Sequence, residues 1–277
     1  MGIQDGIMEK TWSATITSHA EDVRNEITME RSQKPRWRTG LFNQEMINHV
    51  REGNLRGRMQ ERSGLAWGVQ DSRIEDYAVT FNPLLEDKTL PDLLEETVRR
   101  PGRTAILDLM ASTTVVQQAM YEYGFNYGMA VSLGFKKRIH RGVDRNKVDS
   151  VNTDLTIKKS WNKIRKVMAR RGVSSFDIIL SRPVAGITDT KLQLPVLFYM
   201  LQESWKLLSV ENGIMMFQFP THRAKEILPY VAELSEQGLN ISWEREPDRF
   251  RVHSVVIRKT PESPRLLPSH TMLGMKK

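Results

Sequence analysis

The residues placed to do chemistry are the acids and hydroxyls that close the chain's apolar runs. Asp108 ends the short run Ala105-Ile-Leu107, and Leu109, Met110, Ala111, Ser112, Thr113 and Thr114 follow it. A buried run of this length, closed by an acid and a turn of small and hydroxyl residues, predicts the first strand of a nucleotide-binding α/β sheet. The helix N-terminus after that turn would face the ligand. Asp108 has two roles open to it, accepting backbone N–H groups beside a ligand or capping its own turn, and both use the same acceptor geometry. Ser112, Thr113 and Thr114 divide in the same way between anion binding and N-capping. Asp154 follows another such run and either lines the same edge or starts a turn. At Ser181-Arg182-Pro183 the proline fixes the exit of a further run, and the guanidinium suits a carboxylate or phosphate. A plain turn is the alternative there. Gln218, two places before Pro220, either lines the same mouth or pairs with backbone.

Several chemistries are absent by composition. The 277 residues include no cysteine, which removes disulfides, thiolate metal sites and a thiol nucleophile, and fits a reducing cytoplasm. The six His residues are scattered without helical metal-ligand spacing, so no metal site is expected. No apolar run reaches the roughly 18 residues of a membrane span. Met1–Lys10 lacks a basic-then-apolar pattern, so no secretory signal is expected. No residue stands out as a general base.

The elements that must position these residues read as follows. Residues 1–100 are expected to form a mostly helical extension. A short amphipathic helix is expected at Leu41–Arg51, and Leu90, Leu93, Leu94, Thr97 and Val98 form a stripe for a second helix that Pro101-Gly102 ends. Beyond 100, apolar runs alternate with helical patterns. Strands are predicted at 104–108, 127–133, 148–153, 176–181 and 213–219, with helices at 113–124, 159–171, 192–208 and to about 237. Successive βα units argue for a parallel sheet. The last two strands, near 239–245 and 250–258, are joined only by Glu246-Pro-Asp-Arg249, a connection short enough to demand an antiparallel hairpin. The expected α/β domain spans 101–260, and residues 261–277 read as a loose tail.

Charge is uneven. The chain carries a net +8, and residues 136–171 alone hold 13 basic and 3 acidic side chains. Lys136, Lys137, Arg138 and Arg141 lead that segment, which suits nucleic-acid phosphates or, more plainly, a solvated loop and helix face. Trp161 at helical spacing reads as core rather than as a base-stacking platform. Arg36-Trp37-Arg38 is a weaker signal of the same kind.

The order of these elements resembles the Rossmann-like S-adenosylmethionine-dependent methyltransferases over about residues 100–260. Five βα units and a final β-hairpin match that layout, which implies a mostly parallel seven-stranded sheet. Asp108-Leu-Met-Ala-Ser112 stands where the family has Asp-Leu-Gly-x-Gly, so Met110 and Ser112 replace both glycines. The resemblance implies that Asp108, Met110, Ala111, Ser112, Leu133, Asp154 and Leu155 border S-adenosylmethionine. Asp154-Leu155 would lie near the adenine. Strand two ends Val131-Ser-Leu133-Gly134, without the acid that holds the ribose hydroxyls. The resemblance also places Ser181, Arg182 and Pro183 on the substrate side. It departs from the Asn/Asp-Pro-Pro-Tyr of methyltransferases acting on base or glutamine amino groups. The function expected is a methyltransferase with an unknown acceptor. The alternative is a non-catalytic scaffold or nucleic-acid-binding module of that fold.

Overall fold

A computed structural model describes residues 74–109, 113–132, 144, 146–153, 155, 158–181, 194–220, 224–244 and 252–268. The helix expected at Leu41–Arg51, the Arg36-Trp37-Arg38 signal and most of the tail lie outside these residues.

Two helices precede the sheet. α1 spans Ile74–Phe81 and, after a 3-10 turn at Asn82–Leu84, α2 spans Leu90–Arg99. A reciprocal cap starts α2. Thr89 Oγ1 accepts the Asp92 N–H at 3.3 Å, and Asp92 Oδ2 accepts the Thr89 N–H at 2.9 Å. Leu90, Leu93, Leu94 and Thr97 are buried along one stripe, as their spacing predicts. The chain then turns through Gly102 at φ +102°, a left-handed angle that glycine adopts without strain.

Seven strands follow: β1 (Ala105–Leu109), β2 (Tyr127–Ser132), β3 (Val148–Asn152), β4 (Ile178–Ser181), β5 (Gly213–Pro220), β6 (Asn240–Trp243) and β7 (Val252–Lys259). Between them run α3 (Thr113–Gln118), which passes into a π-helical turn at Ala119–Tyr123, then α4 (Lys158–Arg171), α5 (Leu194–Leu207) and α6 (Ala224–Glu236). The strand order is β3-β2-β1-β4-β5-β7-β6. β1 to β5 pair in parallel, and β7 is antiparallel to both its neighbours, β5 and β6. The fold is therefore α/β, with a mostly parallel Rossmann-like sheet and an antiparallel C-terminal hairpin.

All five residues of β1 are buried, which a central parallel strand covered on both faces requires. Its side chains alternate between two cores. Ala105, Leu107 and Leu109 join residues of α4, α5 and α6, including Trp161, Trp205 and Tyr230. Ile106 joins residues of α1, α2 and α3, including Tyr77, Leu94 and Val116. Gly128 lets α3 sit tightly on the sheet, because a Cβ there would lie 2.1 Å from Val116 Cγ1.

The strand expected at 176–181 is shorter than its apolar run. Phe176 instead forms an isolated bridge with Leu208. Asp177 uses its carboxylate to accept the Ala105 N–H at 2.8 Å, fastening the start of β1 to the start of β4. Among the described residues, no helix is long and apolar enough to cross a membrane.

Candidate functional site

In a parallel sheet the connections leave the carboxyl ends of the strands, and ligands settle where the strand order reverses. Here β1 connects through α3 to β2 on one side, while β4 lies on its other side, so the reversal falls between β1 and β4. The last paired residues across that gap are Leu109 and Ser181. Leu109 is buried and Ser181 is partly exposed. Ser132 and Asn152, paired at the ends of β2 and β3, extend the same edge.

Asp108 lies inside β1, one residue before its end, and is fully buried. It shares the sheet face of Ile106, under α1. The Tyr77 hydroxyl of α1 lies 3.1 Å from both Oδ1 and Oδ2 and donates to that carboxylate. A charged acceptor in a dry layer requires such a donor. Tyr77 is itself fully buried and packs 6.3 Å from the Phe81 ring. The sequence held no local sign of this pair, because 31 residues separate its members.

The other expected site residues divide sharply. Leu155 is buried in the core, and its carbonyl accepts the Trp161 indole N–H at 2.8 Å. Trp161 is fully buried, in keeping with its spacing. Gln218 is buried and donates to Ser254 Oγ at 3.4 Å, so it pairs with a side chain of β7. Met110, Ala111, Ser112, Leu133, Asp154, Arg182 and Pro183 lie outside the described residues. So do Lys136, Lys137, Arg138 and Arg141.

At the β5 end of the edge stands His253 of β7, paired with Phe219. Its ring stacks on Phe219 at 5.3 Å and 9°, and Nδ1 lies 3.3 Å from the Glu244 carbonyl oxygen. Among the described residues its buried Nε2 has no partner. Scattered histidines gave no reason to single it out; only the pairing of β7 with β5 brings it to this edge. Among the described residues there is also no group of three or more His, Asp or Glu that would hold a metal ion.

Three carboxylates organise the flanks. Asp149 of β3 accepts Arg171 Nε at 2.7 Å and Nη2 at 3.2 Å, and also the Tyr127 hydroxyl at 2.9 Å. Burial, then the Asp149 charge, pushes the Tyr127 phenol well up, so it keeps the proton it donates to Asp149. Glu203 of α5 accepts from Arg165 of α4 and, at 2.7 Å, from Lys206. Burial raises the Glu203 pKa, but the hydrogen bonds from Lys206 and Arg165 outweigh it and hold the carboxyl below its usual range. Burial likewise raises Asp177, against the hydrogen bond from Ala105.

Fold and edge together define a Rossmann-like α/β protein whose strand order reverses between its first and fourth strands. No family model matches the chain, and no curated protein does. Among solved structures it is similar to a candidate hemolysin from Streptococcus thermophilus, at 14% identity and a TM-score of 0.39 over 63% of this chain and 66% of the other. It is also similar to a SAM-dependent methyltransferase from Agrobacterium tumefaciens, at 18% identity and a TM-score of 0.38 over 61% of this chain and 60% of the other. A third is Haemonchus contortus phosphoethanolamine N-methyltransferase 2 in complex with S-adenosyl-L-methionine, at 13% identity and a TM-score of 0.39 over 61% of this chain and 51% of the other. The chain thus spans between half and two thirds of the length of each. Likeness at this level assigns no reaction.

Proposed function

We propose that the chain is an S-adenosylmethionine-dependent methyltransferase-like protein whose acceptor is unassigned. The observation that carries this is the sheet: five parallel strands that reverse order between β1 and β4, with an antiparallel β7 set between β5 and β6. That is the layout which the resemblance at residues 100–260 implies. The nucleoside would lie across the strand reversal at Leu109 and Ser181, bordered by Asp108, Met110 to Ser112, Leu133, Asp154 and Leu155. Arg182 and Pro183 would border the acceptor.

The donor set fits such a ligand unevenly. The neutral end of β2 at Ser132 supplies no carboxylate to the ribose hydroxyls, so the strong charge-assisted contact is missing there. When bound, S-adenosylmethionine would supply an electrophilic methyl group on a sulfonium. The protein's part is alignment of the acceptor with that methyl, which needs no dedicated base.

A second reading, a non-catalytic scaffold of the same fold, is favoured by Asp108 itself. Its carboxylate is fully buried and engaged by Tyr77, a sufficient structural role. Calorimetry with S-adenosylmethionine and S-adenosylhomocysteine separates the two. Saturable heat with either supports the enzyme. No heat and no thermal shift at about millimolar ligand, a standard free energy weaker than roughly −4 kcal/mol, leaves the scaffold.

A further inference from the structure

α4 is a helix of 14 residues, KKSWNKIRKVMARR, with seven basic side chains and no acidic one. Its apolar face is conventional: Trp161, Ile164, Val167 and Met168 are buried against the sheet. Apart from Lys158 at its first position, the cations fall into two groups. Arg165 and Arg171, on the flanks, are tied down by Glu203 of α5 and Asp149 of β3. These two ion pairs fix the helix against its neighbours.

The second group is Lys159, Lys163, Lys166 and Arg170, spaced i, i+4, i+7, i+11 and all exposed. At 3.6 residues per turn the four fall within about 60° of arc, opposite the buried face, and span roughly 16 Å. Among the described residues, Lys159, Lys166 and Arg170 form no ion pair. Lys166 and Arg170, one helical turn apart, repel each other by a few tenths of a kcal/mol. A line of phosphates laid along the row relieves that repulsion.

We propose that this outer face of α4 is a docking surface for the phosphate backbone of a duplex nucleic acid. Two observations select the partner. The row is linear and purely cationic, which suits a regularly spaced line of phosphates, one per about 3.4 Å of axis on each strand. Among the described residues the face also offers no aromatic platform. Trp161 is fully buried, and among the described residues the most exposed aromatic, Tyr121 at 63%, lies on the π-helical turn after α3, in the opposite layer of the sheet. Single strands are held by stacking of their bases on such rings. A duplex, whose bases are turned inward, needs only the charges. This inference stands on α4 alone and does not rest on S-adenosylmethionine binding.

The test is fluorescence anisotropy with the full chain and a duplex DNA of about 20 base pairs, at salt from about 50 to 200 mM. With four phosphates neutralised at a slope of about 0.9 each, affinity falls roughly 150-fold over that range. The variant Lys159→Gln/Lys163→Gln/Lys166→Gln/Arg170→Gln is expected to lose most of that dependence, lowering the slope by about 3 to 4. Glutamine keeps helix propensity, and an unchanged melting temperature verifies the fold. A control variant removes four exposed charges elsewhere: Lys88→Gln/Arg99→Gln/Lys225→Gln/Arg265→Gln. It should keep the wild-type slope. Equal loss in both variants, an unchanged slope in the α4 variant, or no duplex binding at the lowest salt overturns the proposal. So does tighter binding of a single strand of the same length, or binding confined to phosphatidylserine vesicles.

Discussion

Tyr77→Phe is the most direct probe of how the leading strand is held. The substitution removes one oxygen from a fully buried ring and leaves the apolar contacts with Phe81 in place. What it takes away is the hydroxyl that lies 3.1 Å from both oxygens of Asp108. A hydrogen bond to a charged group contributes about 1.5–3 kcal/mol, and a buried carboxylate deprived of a donor keeps its desolvation cost. Urea denaturation should therefore show a loss of about 1.5–3 kcal/mol, seen as a lower midpoint at unchanged slope. Asp108→Asn keeps the shape and removes the charge, so the double variant should be less destabilised than the two singles summed. A coupling of roughly 1 kcal/mol or more is expected between groups in direct contact. Additivity, or a Tyr77→Phe loss under about 0.5 kcal/mol, would refute the view that this hydroxyl holds the carboxylate. The same pair of variants reports on ligand binding. If Asp108 shapes the turn after β1, Asp108→Asn weakens S-adenosylmethionine heat beyond what its loss of stability accounts for.

Two further outcomes follow from packing and charge. Gly128→Ala would place a methyl 2.1 Å from Val116 Cγ1, and should cost about 1–3 kcal/mol by thermal or urea melts, with Val116→Ala partly rescuing it. Glu203 is held below its usual pKa of 4.5 by Lys206 and Arg165, so its contribution is present above that pH and is lost as pH falls through the lower folded value. Glu203→Gln should therefore be less stable than wild type at neutral pH, by about 1–2 kcal/mol, and the gap should close as pH falls from the ordinary carboxylate range through the lower folded value in acid titrations of stability.

Local signals carried much of the architecture. The α2 stripe, the buried run of β1 and the face of α4 are visible because period and burial are written into short windows of sequence. The short Glu246–Arg249 connection likewise forces an antiparallel pair. What no window contains is which strand of that pair lies beside β5, since β5 and β7 meet across more than thirty residues. The position of Asp108 was legible and its partner was not: Tyr77 belongs to α1, a helix with no signal of its own in the sequence beyond the helical character expected of residues 1–100. Gln218 shows the limit from the other side. Its place near the end of β5 was right, but strand parity turns its side chain to Ser254 instead of the edge. His253 reaches the edge by the same long-range pairing.

The placement of β7 also sets an order of events when the chain is made. β5 and β6 leave the ribosome before β7, yet they cannot join one another, because the later strand must lie between them. Until then Met215, Phe217 and Phe219 sit on a strand with one bare edge, the kind of surface that recruits chaperones or neighbouring copies. When β7 arrives it closes both gaps at once. Its last residue, Lys259, also donates to the carbonyls of Trp205 and Leu208 at 2.7 and 3.0 Å, capping the buried end of α5. This half of the molecule is consequently completed after translation has passed it.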